Sequence, residues 1–82
     1  MKSVNTNNQT VELATALNTT FDSGKIYTIQ ILNPCYLKLG NNDEFYYNSS
    51  ELLNYDASKG EPLYIRTHVF SCQVAIVSSV NA

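Results

Sequence analysis

The chain has 82 residues, of which 44% are hydrophobic and only 15% charged, with a formal net charge of -2. That length allows one core and one domain, and a chain so short buries only about 60% of its unfolded surface, so further burial against partner subunits is expected to help it. The five basic residues, Lys2, Lys25, Lys38, Lys59 and Arg66, stand singly, which leaves no patch able to neutralise several phosphates and argues against nucleic acid. There is no basic amphipathic segment and no apolar run long enough to span a bilayer, so no membrane role is expected.

Residues 1–8 are polar and aperiodic and read as an N-terminal arm, mobile unless a partner pins it, ahead of a single β domain over 9–82. No apolar leader follows Met1 and Lys2, so the protein is expected to be made in the cytoplasm. In Gln9 to Leu17, Val11 and Leu13 alternate with Thr10, Glu12 and Ala14 and predict a strand. A short helix is the rival reading, because Val11, Leu13, Ala14, Ala16 and Leu17 also approximate helical spacing. Asp22, Ser23 and Gly24 then signal a turn.

Lys25 to Leu32 is the clearest strand. Tyr27, Ile29 and Ile31 share one face and Ile26, Thr28 and Gln30 the other, which suits a strand covered on both sides. Asn33 and Pro34 break it. Cys35, Leu37 and Leu39 then alternate inward against Tyr36 and Lys38 outward, up to the turn at Gly40 to Asp43. Glu44 to Tyr47 is expected to form a brief edge strand. Asn48 to Lys59 reads as a long polar loop anchored by Leu52, Leu53 and Tyr55, with a helical turn starting at Ser49, Ser50 and Glu51.

Leu63, Ile65 and Thr67 alternate with Tyr64, Arg66 and His68, and a last strand runs from Cys72 to Val80. The short link through Phe70 and Ser71 suggests that these two strands form a hairpin. The fold class that results is all-β: a small antiparallel β-sandwich or jelly-roll-like barrel of five to six short strands.

Little in the chain suggests chemistry. His68 is the only histidine and reads as a surface or interface residue. Asp43 and Glu44 lack the further ligands of a calcium loop, and Glu51, Asp56 and Glu61 are scattered. Cys35 and Cys72 read as two buried free thiols, with a disulfide between neighbouring strands as the alternative. Gly24, Gly40 and Gly60 are isolated turn glycines rather than a phosphate cradle. No catalytic residue, cofactor or metal is assigned, and an enzyme is not expected.

Tyrosine supplies six of the nine aromatic residues. Tyr46, Tyr47, Tyr55 and Tyr64 read either as ordinary half-buried strand packing, as a subunit or partner interface, or as a sugar platform without the usual tryptophan.

Taken in order, the polar arm, the strand Gly24-Lys25-Ile26-Tyr27-Thr28-Ile29-Gln30, the polar loop, Glu61-Pro62-Leu63-Tyr64-Ile65-Arg66 and the closing Val74-Ala75-Ile76-Val77 resemble the small β-domain structural proteins of tailed bacteriophage virions. That group includes head-decoration and head-fibre base domains. The resemblance implies a non-enzymatic virion protein, assembled in the bacterial cytoplasm, commonly trimeric, and docked on a capsid or another virion protein. It implies that Tyr64 and Arg66 face a partner subunit, with Leu63 and Ile65 in the core and residues 1–9 anchored on a neighbour; with the clustered Tyr46, Tyr47 and Tyr55 they make up the candidate interface. The two cysteines and the Asn48 to Lys59 segment depart from the group. Two other classes remain open: an inhibitor that binds one host protein, and a carbohydrate-binding module using Tyr46, Tyr47 and Tyr55.

Overall fold

The computed structural model describes residues 2–47, 51–68 and 70–82. In chain order the elements are β1 (Lys2–Val4), β2 (Val11–Glu12), α1 (Leu13–Leu17), β3 (Lys25–Ile31), β4 (Cys35–Leu39), β5 (Phe45–Tyr47), β6 (Glu51–Asp56), a 3-10 turn (Ala57–Lys59), β7 (Leu63–Arg66) and β8 (Cys72–Asn81). They build two four-stranded antiparallel sheets, the first ordered β1-β8-β3-β6 and the second β2-β7-β4-β5. The first strand thus pairs with the last, β2 with β7, β3 with β6 and β4 with β5. That is the winding of a jelly roll, a long double ribbon folded over into a two-sheet sandwich.

Alternation puts one face of each strand into the gap between the sheets. Ile29 and Ile31 of β3 and Cys72 and Val74 of β8 come from the first sheet; Cys35 and Leu37 of β4 and Ile65 of β7 come from the second. All are essentially inaccessible, and Leu13 and Leu17 of α1 complete the same cluster. Tyr55 closes one end of it, donating its hydroxyl to the Glu61 carbonyl at 2.6 Å and packing edge-on against Phe21, which meets Tyr27 in the same manner. Cys35 and Cys72 are free thiols buried on opposite sheets. A hydrogen bond with Cys72, and then burial, push the Cys35 thiol far above its ordinary value, while the Cys72 sulfur lies 3.3 Å from the Asn33 carbonyl oxygen.

The N-terminal stretch is not a free arm but part of the first sheet. Lys2–Val4 adds to the edge of the first sheet beside Cys72–Val74, and Val4 is buried. What holds the stretch is a reciprocal pair of buried threonines: the Thr6 amide donates to the Thr67 hydroxyl and the Thr67 amide to the Thr6 hydroxyl, both at 2.8 Å. The Asn8 amide adds a bond to the Thr67 carbonyl, and Asn7 and Asn8 turn the chain in the left-handed region that asparagine tolerates. A short polar sequence can therefore be an edge strand when one inward residue and a few donors are enough to fix it.

Among the described residues the sandwich has eight strands rather than five or six. Over residues 9–17 both readings hold in part: two residues pair as β2, and Leu13–Leu17 forms one helical turn capped by Asn18 in the left-handed conformation. The expected loop over 48–59 contains β6, where Leu53 and Tyr55 face inward opposite Ile29 and Tyr27. Of the helical turn expected at Ser49 to Glu51, Ser49 and Ser50 lie outside the described residues, and Glu51 begins β6. The 3-10 turn comes later, with Asp56 accepting from the Ser58 amide. β7 and β8 are not a hairpin; the winding sends them to opposite sheets. The outer face of β3 is flanked by β6 and β8 but has no further layer over it among the described residues.

Thr67→Val keeps the volume of the side chain but leaves the buried Thr6 amide without an acceptor. We expect a loss of about 1–3 kcal/mol in denaturant unfolding, together with faster amide exchange at Val4 and Thr6. Exchange that is unchanged at these two amides would show that the threonine pair does not hold the N-terminal strand.

Candidate functional site

The outer face of the second sheet is where polar and aromatic chemistry concentrates. The register sets Tyr46, Tyr36 and Arg66 side by side across β5, β4 and β7, and in the next row Lys38, Tyr64 and Glu12 across β4, β7 and β2. The Tyr36 and Tyr46 rings lie 5.1 Å apart, tilted by 60°. On the other side of Tyr36 the Arg66 guanidinium sits 4.2 Å from the ring centroid, well within cation–π range. Lys38 approaches the Tyr64 ring at 6.0 Å.

Arg66 is held by more than the ring. Its Nε and terminal nitrogen donate to both oxygens of Glu44, at 2.9 and 2.8 Å, in a two-pronged ion pair, and its other nitrogen donates to Asn8. The hydrogen bond from Arg66 holds the Glu44 carboxyl below the usual carboxylate range, and the same bond raises Arg66 above its own ordinary value. The guanidinium is thus pre-oriented, with one face on Tyr36 and its edge spoken for by a carboxylate.

Where the aromatic row ends, Pro34, Cys35, Tyr36, Tyr46, His68 and Phe70 line an open cleft of about 250 Å³. Phe70 is 74% exposed and Tyr46 56%, the most exposed aromatic rings of the described residues. Among those residues no group of three or more His, Cys, Asp and Glu side chains is gathered as a metal would require. Among the described residues no helix is long and apolar enough to cross a membrane.

Of the residues expected at an interface, Tyr46, Tyr64 and Arg66 do share this face. Tyr47 and Tyr55 do not. Tyr47 points inward opposite Cys35, with its ring 5.3 Å from Phe45, and burial raises its phenol. Tyr55 belongs to the core of the first sheet, so Tyr46, Tyr47 and Tyr55 cannot form one sugar platform. Tyr36 was legible as an outward residue, and its central place in the row follows only from the β4–β5 and β4–β7 registers. His68 continues the alternation of Tyr64 and Arg66 read from the sequence, whereas Phe70, beyond the end of β7, joins the cleft without such a signal.

No protein-family model, no curated protein and no solved structure matches this chain.

Because the folded-state Glu44 carboxyl ionises below its unfolded value, its pairing with Arg66 is complete at neutral pH and is lost as pH falls through that lowered value. In an NMR titration the Arg66 Nε–H and Tyr36 ring signals should stay constant as pH falls from neutral and move together only once pH drops below the usual carboxylate range. In Glu44→Gln this acid transition should vanish; if it persists, another group sets the position of Arg66.

Proposed function

We propose that this chain is a non-enzymatic assembly domain that docks on a protein partner through the outer face of its second sheet, in the setting of a tailed-phage virion. The observation that carries the docking role is the Tyr46–Tyr36–Arg66 row. Tyrosine and arginine are the residues most enriched at the energetic centres of protein interfaces, because each offers a broad, rigid surface with hydrogen-bonding capacity at its rim. Here their positions are set by strand pairing, by stacking and by the Glu44 ion pair before any partner arrives, which lowers the ordering cost of association.

The virion setting draws support from the sequence resemblance and from the jelly-roll winding, an architecture used by viral capsid domains and also by lectins. Fold alone does not decide between such roles. The cleft between Pro34, Tyr36, Tyr46, His68 and Phe70 favours carbohydrate as the second reading, since exposed rings there offer a stacking surface.

The test is particle incorporation. Phage particles purified from the culture that encodes this chain should contain it, and Tyr36→Ala should reduce its occupancy with an affinity loss of about 2 kcal/mol or more, while its thermal midpoint stays near that of the wild type. A chain absent from particles, or a variant incorporated as well as the wild type, would overturn the proposal. Glycan-array binding that Phe70→Ala abolishes would replace it with the second reading.

A further inference from the structure

β8 is ten residues long, but β1 covers only Cys72–Val74 on one of its sides. Beyond that point its other side remains paired with β3 as far as Lys25, so Ile76–Asn81 is ordered strand whose second edge is unpaired among the described residues. A register shift opposite Thr28 and Ile29 leaves Val77 as an extra residue, and Ile76, Val77 and Val80 are 41%, 56% and 62% exposed. The segment Ile76-Val77-Ser78-Ser79-Val80-Asn81 has no charge, no proline and no glycine.

The other edges are protected. β1 has three residues and carries Lys2; β2 has two and carries Glu12; β5 has three. β6 is six residues long but begins and ends with Glu51 and Asp56. Shortness and charge are the usual means by which proteins prevent strand edges from pairing with other chains. Among the described residues, only the distal half of β8 lacks both.

We infer that Ile76–Asn81 pairs antiparallel with the same segment of a second copy of this chain, joining the two first sheets into one continuous sheet. Three features select a second copy as the occupant. Self-pairing here sets no like charges opposite each other, whereas pairing of two β6 edges would gather their acids. An antiparallel pair about a two-fold axis uses the same donors and acceptors from both partners and closes at two copies. Its direction also carries the partner's strand past Asn81, away from the stretch that β1 already occupies. The junction is about 20 Å long, at the small end of specific interfaces, so the dimer forms reversibly and in a concentration-dependent manner. This surface is separate from the Tyr36 face, and the inference does not depend on the docking role of that face.

The experiment is sedimentation velocity over a hundredfold range of concentration, on the wild type, Val77→Lys/Val80→Lys and Leu52→Lys. Leu52 is 62% exposed on the first sheet's outer face, on β6, so its variant adds charge without touching the β8 edge. The expected result is a wild-type monomer–dimer equilibrium, weakened roughly tenfold or more by the paired lysines and left intact by Leu52→Lys, with the same far-UV circular dichroism in all three. A wild type that is monomeric throughout, or trimeric, overturns the inference. So does a dimer that survives the two lysines.

Discussion

Two sheets that bury their inner faces against each other impose the constraint from which the rest of the molecule follows. The gap between them is filled by Ile29, Ile31, Cys72 and Val74 from one side and Cys35, Leu37 and Ile65 from the other, with Leu13 and Thr67 sealing the ends. A chain of this size has few residues to spare for a second layer. Every side chain that is not turned into the gap is therefore turned toward solvent or a partner, and the parity of each strand decides which. Thr67 brings a hydroxyl into this interior and is satisfied by the buried Thr6, so the seal also fixes the path of the N-terminal segment.

The two outer faces that this constraint leaves are chemically unlike. On the second sheet, tyrosine rings interleave with Arg66, Lys38 and Glu12, and the ion pair to Glu44 orders the guanidinium against Tyr36. On the first, the row is Ile26, Thr28 and Gln30 flanked by Leu52, Asn54, Ser78 and Val80, with Asp56 at its end. One face offers pre-oriented recognition groups and the other offers a smooth, nearly uncharged surface ending in an open strand edge. An exposed ion pair such as Glu44–Arg66 contributes little to stability in water, so its value lies in orientation, consistent with a docking role for that face.

The strands β3, β4, β7 and β8 were legible because each must alternate over at least four residues to fill the gap, and Ile29/Ile31, Cys35/Leu37 and Leu63/Ile65 display that period plainly. β1 was not, since Lys2-Ser3-Val4 turns a single apolar residue inward and draws its fixation from Thr67, more than sixty positions away in sequence. β6 carried a signal in Leu53 and Tyr55, two apart, but the adjacent Leu52 and the polar flanks obscured it. A hairpin between β7 and β8 was the natural inference from a short link, yet jelly-roll winding uses that link to cross from one sheet to the other. At the candidate site, parity explains both the successes and the failures. Tyr64 and Arg66 lie two apart on β7 and share a face, whereas Tyr46 and Tyr47 are adjacent and must face opposite ways. Treating the tyrosines as a cluster in sequence ignored this, and the partnership of Tyr36 with Tyr46 and Arg66 existed only once three strands were in register.

The tyrosines divide into an outer set, proposed to meet a partner, and an inner set that holds the fold. Hydroxyl-radical footprinting read residue by residue, on the free protein and on the protein within its assembled complex, addresses this directly. Tyr36, Tyr46 and Tyr64 should be oxidised in the free chain and protected in the assembly, while Tyr55 should react little in either. Equal oxidation of Tyr36 and Tyr46 in both states, with protection appearing elsewhere, would contradict it.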